Sequence, residues 1–237
     1  MKKVIYLVLI IVFTISGCSK VNNSYKDSNK LVLSYDLEID GLPNREHSKS
    51  IRALIEWYLE EDYSDFYVHV NEDKVIIEVY DILESNIQDV TSTIINMNGK
   101  LCFRDSNDTL LATSDDLIKN ITLGEKNYYG VDTINLHIKN VDLFKDITAY
   151  ISSTDEYRLY IWQGFQNGID TRELVETDVS VARKLVYSAK IMETIESDIL
   201  SITGAYTETD NSKLIDRLRA SLINFELSNQ SYKYYDR

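Results

Sequence analysis

The chain has 237 residues, of which 44% are hydrophobic and 27% are charged. That balance is typical of a globular protein rather than a disordered one, and the length allows one large domain or two small lobes. The formal net charge of −13 makes nucleic acid and anionic lipid head groups poor partners, because a chain this acidic repels both.

The first segment of the chain has the pattern of an export signal. Lys2 and Lys3 precede an apolar run over residues 4–13, and small residues then lead to Cys18. A run of about 10 residues is too short to span a bilayer, and this order of charge, apolar core and small residues predicts a secretory signal over residues 1–17. The cysteine at the junction resembles that of a bacterial lipoprotein signal, which implies cleavage before Cys18 and attachment of a diacylglyceryl group to its sulfur.

The lipid on Cys18 is expected to hold the protein on the outer face of the cell membrane. A thiolate is a strong nucleophile and can take a lipid in thioether linkage, and two or more acyl chains give stable anchoring. The alternatives are an ordinary signal with a chance cysteine and an uncleaved N-terminal anchor helix. Residues 18–29 are polar and are interpreted as a tether between the lipid and the fold.

The segment over residues 30–104 predicts a first α+β lobe. Apolar residues alternate over 31–39, which indicates a half-buried strand, and residues 51–58 carry apolar side chains at helical spacing. Two further strands over 66–70 and 74–80 form a hairpin, and a second helix and a strand over 101–104 follow. The order β-α-β-β-α-β is ferredoxin-like.

A second lobe is predicted over residues 105–224, followed by a C-terminal tail over 225–237 that is expected to be frayed over 228–237. The pattern indicates strands near residues 134–138, 157–162 and 199–203, with a helix between the first two and a final helix before residue 222. The segment 171–186 fits either a short helix or an irregular insertion. The predicted fold class is therefore α+β, with two small lobes of mixed or antiparallel sheets and helices packed on one face.

The sequence offers no recognisable catalytic or metal-binding pattern. His47, His69 and His137 lie far apart, and the run containing Asp105 and Asp108 lacks the glycine and the distal glutamate of a calcium loop. Cys102, in a strand-like run, is interpreted as a small buried core residue. We therefore expect a non-enzymatic protein with no cofactor and no metal.

Aromatic side chains suggest a contact surface. If Leu159 and Ile161 face the core of their strand, Tyr160 and Trp162 face the other way. That pair is the best candidate for contact with a partner, because exposed aromatic rings are suited to binding. The alternative is that both rings cover a second layer of the fold, and this alternative is favoured.

Several short segments resemble, in order, the first extracytoplasmic domain of the SecD family of protein-export components. Together they extend over roughly residues 30–223. The matching segments are ALIEWYL at 53–59, KVIIEV at 74–79, KLCFRD at 100–105, TLLAT at 109–113, DDL at 115–117, LVYSAK at 185–190 and ITGAYT at 202–207.

The resemblance implies a non-catalytic domain that binds polypeptide or a partner protein near the Sec translocase. SecD acts with SecF at the proton-driven stage of export, but this chain has no second apolar span for the proton-carrying helices of that family. It also has Lys190 where the family has proline, and Asp81 and Ile82 where it has a Pro-Gly turn. The alternative function is that of an envelope structural or small-solute-binding lipoprotein unrelated to secretion.

Overall fold

The computed structural model describes residues 28–40, 44–203 and 208–236. The predicted signal over 1–17, Cys18, most of the tether and the end of the 202–207 segment lie outside the described residues.

The described part of the chain is α+β and contains three antiparallel sheets. Its strands are β1 Lys30–Ile39, β2 Phe66–Val70, β3 Lys74–Tyr80, β4 Leu101–Arg104, β5 Leu110–Thr113, β6 Ile118–Lys126, β7 Asp132–Ile138, β8 Arg158–Gln163, β9 Leu185–Lys190, β10 Ile199–Thr203 and β11 Phe225–Tyr235. Its helices are α1 Arg45–Leu59, α2 Ile87–Ile95, α3 Ser114–Leu117, α4 Val141–Ser152, α5 Val179–Ala182 and α6 Glu208–Arg219.

The first lobe is a four-stranded antiparallel sheet with α1 and α2 on one face. The strand order is β11-β1-β3-β2. Leu31, Leu33, Tyr35 and Leu37 of β1 are buried, whereas the residues between them face away from the core. The same core contains the apolar stripes of α1 and α2. The alternating apolar side chains of β1 therefore pack against the helical side chains spaced to face them. Asn44 caps α1 by accepting a hydrogen bond from the His47 backbone N–H.

The last strand of this lobe is not the one that the sequence predicts. The expected strand over 101–104 is β4, which lies between β5 and β8 in another sheet. All four of its residues are buried, so it requires neighbours on both edges and both faces. The fourth position of the first sheet belongs instead to β11, from the far end of the chain. The predicted boundary at residue 104 is therefore wrong, because the chain leaves the first lobe directly after α2.

The predicted C-terminal tail over residues 225–237, with fraying over 228–237, is also wrong for the described residues 225–236. Strand β11 pairs with β1 along its whole length, from Ile39 opposite Phe225 to Lys30 opposite Tyr235. A bulge interrupts the pairing between Asp36 and Ser34. The strand has a polar sequence because it lies at the edge of the sheet and packs only one face against the core.

The second lobe lies between α2 and β11 in the chain. One sheet has the order β5-β4-β8-β9 and the other β10-β7-β6, and both contribute side chains to a single core. Phe144, Ile147 and Ile151 of α4 and Ile215 and Leu218 of α6 complete that core. The expected division into two lobes thus corresponds to two cores, but the first core needs both ends of the described chain.

Helix α6 also packs against the first lobe. Leu54 and Trp57 of α1 form a small buried cluster with Ala220, which directly follows α6. The chain passes between the lobes twice, at residues 96–100 and at residues 220–224, and these two crossings lie side by side. Among the described residues, no helix is both long and apolar enough to cross a membrane.

The pairing of β11 with β1 generates a stability prediction. Removing residues 225–237 should abolish the cooperative thermal transition measured by circular dichroism, because β1 loses a paired neighbour and its buried leucines are exposed on one side. Removing residues 236 and 237 alone serves as the control and should leave the transition unchanged. A shortened chain that melts like the full chain would show that the strand is dispensable.

Candidate functional site

The structure buries both members of the predicted aromatic contact surface. Trp162 is 0% exposed and Tyr160 is 9% exposed. The predicted alternation is correct, since Leu159 and Ile161 join the main core while Tyr160 and Trp162 join a separate cluster with Phe165 and Val181. The prediction that the two rings are exposed to a partner is wrong, because the segment 165–185 folds over them. They cover a second layer, as the alternative interpretation holds.

The polar residues of the 100–105 segment make structural contacts. Phe103 is in the main core, and the guanidinium of Arg104 lies 3.8 Å from the centroid of the Phe165 ring and donates to the side chain of Asn167. Asp105 accepts hydrogen bonds from the backbone N–H groups of Asn107 and Thr109. These bonds lower the pKa of Asp105, although burial acts in the opposite direction. Asp105 therefore holds a hairpin turn.

The other side chains that were candidates for chemistry are Cys102, His137 and His47, and each makes contacts within the fold. Burial raises the pKa of the Cys102 thiol, which disfavours the nucleophilic thiolate. His137 shares a hydrogen bond of 2.8 Å with Thr122, and Asn44 lies 3.3 Å from the ring of His47. Within the described ranges, no cluster of three or more His, Cys, Asp or Glu side chains could hold a metal ion.

A groove with a volume of about 440 Å³ lies where the two crossings of the chain meet. One wall is formed by the end of α2 and the first crossing, and the other by the second crossing and the start of β11. The lining combines apolar and polar surface in similar amounts, and Ile95 is 56% exposed. At the polar end, the Lys100 ammonium donates to Asp115 at 2.7 Å and to Asn224 at 2.8 Å. The apolar side chains of the lining include Ile94, Ile95, Met97, Ile223, Phe225 and Leu227.

The groove runs along the outer edge of β11, where none of the described strands pairs. Strand β11 is the end strand of its sheet. The Asp40 N–H donates to the Asn224 carbonyl at 3.0 Å, and the Leu37 N–H donates away from β11, to the Asp73 carbonyl. Hydrogen-bonded and non-hydrogen-bonded pairs alternate along an antiparallel ladder. The backbone N–H and C=O groups of Phe225 and Leu227 therefore point outwards from the sheet.

The side chains along this edge divide between two faces. Phe225 and Leu227 lie opposite Ile39 and Leu37 and project to the helix-covered face, where the groove is. Glu226 projects to the other face, directly opposite Glu38, and both carboxylates are exposed. Like charges in directly opposite positions destabilise a sheet, and the described residues bring no cation within ion-pair distance of either.

The first wall of the groove is held rigidly from behind. The Tyr58 hydroxyl accepts from the Asn98 N–H and donates to the Asn98 carbonyl, both at 3.0 Å. Burial raises the pKa of Tyr58 to about 12, so the hydroxyl stays protonated. The side-chain amide of Gln163 donates to the Gly99 carbonyl at 3.1 Å and to the Arg217 carbonyl at 3.0 Å. The Tyr58 bonds therefore hold the first crossing to α1 of the first lobe, and the Gln163 bond holds it to the second lobe.

The ring of Trp57 lies beside the same wall. The guanidinium carbon of Arg217 is 4.5 Å from its centroid and that of Arg183 is 5.0 Å away. Arg183 also forms an ion pair with Glu61 at 3.4 Å and donates to the backbone carbonyl of Trp57. Cation–π contacts of this kind link α1 to α6 and to the segment that covers Trp162.

Sequence reasoning missed the groove. Residues 225–227 were assigned to the tail, although Phe225, Glu226 and Leu227 alternate in the manner of a strand. Ile95 was also an available signal, because it is an apolar residue off the core-facing stripe of α2. No pattern in the sequence places Ile95 beside Phe225, since about 130 residues separate them and only the fold brings them together.

Comparisons with known proteins show similarity in structure. No family model and no curated protein matches this sequence. The solved structure of SecDF, a translocon-associated membrane protein from Thermus thermophilus, matches 86% of this chain with a TM-score of 0.56 at 11% identity, and the match spans 31% of that chain. Two further SecDF structures, one of the super-membrane-facing form and one of a membrane component that enhances protein export, have TM-scores of 0.41 at 12% identity. The matches to them cover 86% and 83% of this chain, and 30% and 98% of theirs.

The fold is therefore SecD-like. The resemblance that the sequence predicts is confirmed at the level of the fold, and the chain spans about a third of the length of two of the three SecDF chains.

The support behind the groove can be tested at Gly164. Its φ of +74° is unfavourable for other residues, and a Cβ there would lie 2.4 Å from the Tyr58 hydroxyl. Gly164→Ala should lower the free energy of unfolding by the cost of the left-handed backbone, about 1–2 kcal/mol, plus the cost of displacing Tyr58. Gly130→Ala is the matched control, because Gly130 has a φ of +76° with no atom within 4 Å of the new Cβ.

The difference between the two variants in urea unfolding should shrink when Tyr58 is replaced by Phe, which removes the clashing oxygen. Equal effects of the two glycine substitutions would show that Tyr58 does not support this wall.

Proposed function

We propose that this chain is an extracytoplasmic lipoprotein whose SecD-like domain binds polypeptide beside the export machinery without catalysing a reaction. The observation that carries the proposal is the groove along the outer edge of β11, where no described strand pairs. An extended chain is the natural ligand of such an edge, because main-chain hydrogen bonds need no particular sequence and the apolar side chains in the groove accept many partners. A folded globular ligand satisfies its own backbone groups and offers few of them to the edge.

The proposed place of action follows from the shared fold and the predicted anchor. The SecDF structure from Thermus thermophilus is described as that of a translocon-associated membrane protein. A domain with this fold would reach the same surroundings if lipid on Cys18 held it at the membrane. The polar segment 18–29 is the predicted tether between that lipid and the domain.

A non-catalytic role agrees with how the polar groups of the domain are used. Asp105 holds a turn, Arg104 supports the segment over Trp162, and the Cys102 thiol is buried. The polar side chains of the groove include Lys100 and Asn224, and the Lys100 ammonium is occupied by Asp115 and Asn224. The proposal therefore assigns recognition to backbone groups and apolar side chains.

Crosslinking in living cells tests the binding role. A photoreactive amino acid at position 95 should give crosslinks to exported polypeptides or to translocase subunits, identified by mass spectrometry. Position 179 is the matched control, because Val179 is 72% exposed and lies on the segment over Trp162 rather than in the groove. Crosslinks at neither position, or the same products at both, would contradict the proposal.

The anchor is tested by metabolic labelling. Radiolabelled palmitate should label the wild-type protein and the Cys102→Ala variant, and it should not label Cys18→Ala, because only Cys18 lies at the predicted cleavage junction. The fractionation of each variant with membranes or with the soluble phase supplies a second measurement. Labelling of Cys18→Ala, or an unlabelled wild type, would overturn the lipoprotein assignment.

A further inference from the structure

We infer that the start of β11 binds an extended polypeptide segment as an added antiparallel strand, with a preference for the pattern apolar–basic–apolar. The inference deepens the proposed function and rests on it, since it names the chemistry of the ligand and the way in which the same groove holds it. The inference depends on the outward direction of the Phe225 and Leu227 backbone groups, on the groove, and on the carboxylates of Glu38 and Glu226.

Backbone geometry limits where the strand can add. Phe225 and Leu227 present outward N–H and C=O groups, so a partner residue opposite each of them can exchange two hydrogen bonds with it. The bulge in the pairing of β11 with β1 follows at residues 228–231, and Asn229 has a φ of +48°. A bulge twists an edge strand and interrupts further pairing. The site is therefore short and lies at residues 225–227, where the groove is.

The groove selects the side chains opposite Phe225 and Leu227. Directly opposite residues in an antiparallel pair project to the same face of a sheet. The partner residues that face Phe225 and Leu227 therefore project to the helix-covered face, towards Ile95 and Met97. Apolar side chains in these two positions would cover Ile95, which is otherwise exposed to water.

The partner residue between these two, opposite Glu226, should be basic rather than apolar. The partner residue opposite Glu226 projects to the other face of the sheet, beside both Glu226 and Glu38. A lysine or arginine there would neutralise two like charges that lie directly opposite one another. The net charge of −13 favours a basic segment at longer range as well.

The same carboxylates disfavour a second copy of this chain as the occupant. Two β11 strands paired antiparallel about Glu226 would bring two Glu226 and two Glu38 side chains onto one face. Four carboxylates with no cation among them would repel. The edge is thus better suited to a basic partner than to self-association.

Peptide binding tests the pattern. Fluorescein-labelled nine-residue peptides with identical Ser/Thr flanks would carry Val-Lys-Val or Val-Glu-Val at the centre, and fluorescence anisotropy would measure their affinities. The wild-type protein should bind the lysine peptide about tenfold more tightly, and Glu226→Lys should remove most of that preference, because Glu38 and the new lysine then balance one another. A preference that Glu226→Lys leaves unchanged would overturn the assignment of the central position.

Methylated peptides test the added strand itself. A methyl group on the backbone nitrogen of either valine should abolish binding, because those N–H groups face β11. The same methyl group on the central lysine nitrogen should be tolerated, because that N–H points away from the edge. Equal effects of the two kinds of methylation would show that the peptide does not bind as a strand.

Groove variants supply the remaining controls. Ile95→Glu should weaken both peptides at least about tenfold, whereas Leu83→Glu, at a side chain that is 65% exposed elsewhere, should not change either affinity. Thermal unfolding would establish that both variants are folded. If Ile95→Glu changes the sedimentation of the protein and leaves peptide affinity unchanged, the occupant is a second copy and the inference is wrong.

Binding of ribonuclease A that has been unfolded by reduction and alkylation tests the proposed function separately from the inference. Native ribonuclease A is the control. Binding of the unfolded form that is insensitive to Ile95→Glu and Glu226→Lys would overturn strand addition at β11 and leave a polypeptide-binding role intact. No binding of either the unfolded form or the peptides would overturn both.

Discussion

The antiparallel pairing of β1 with β11 is the interaction on which the rest of the structure depends. It joins strands from opposite ends of the described chain, so the four-stranded sheet is complete only when everything between α2 and β11 has folded back to its starting point. The second lobe is in effect inserted into a ferredoxin-like lobe. The long-range contact carries a large loop-closure cost, which the buried side chains of β1 and the packing of α1 against α6 offset.

The groove follows from that insertion. The chain has to leave the first lobe after α2 and return to it before β11, and the two crossings run next to one another because β11 packs over α2. The Tyr58 hydroxyl and the Gln163 amide form hydrogen bonds with the backbone of the first crossing and hold it in place. Gly164 is required there because its lack of a side chain leaves room for Tyr58.

An exposed edge strand can pair with the edge of another chain and cause aggregation, and the features of β11 prevent such pairing along only part of its length. The bulge at residues 228–231 divides the edge, and the facing carboxylates of Glu38 and Glu226 discourage identical copies from pairing. The segment at residues 225–227 stays accessible beside the groove. An accessible edge of this kind suits the polypeptide binding that we propose.

The sequence by itself determined the class of fold and the local elements. Alternation in β1, the hairpin of β2 and β3 and the apolar stripes of α1 and α2 are local patterns, and each was predicted because burial on one face requires a period of two or 3.6 residues. The alternation of Leu159 and Ile161 with Tyr160 and Trp162 was predicted for the same reason. The resemblance to SecD rests on short segments such as residues 100–105, in which Leu101 and Phe103 enter the core of the second lobe and Asp105 holds a turn.

Only the tertiary structure decided which strands are neighbours and which faces are covered. Residues 101–104 and 225–235 could each complete a four-stranded sheet, and no local pattern chooses between them, since pairing depends on contacts made far along the chain. Trp162 alternates like an exposed residue, yet the irregular segment 165–185 buries it. The groove joins residues from α2 and β11 that are about 130 positions apart, so it exists only once the sheet has closed.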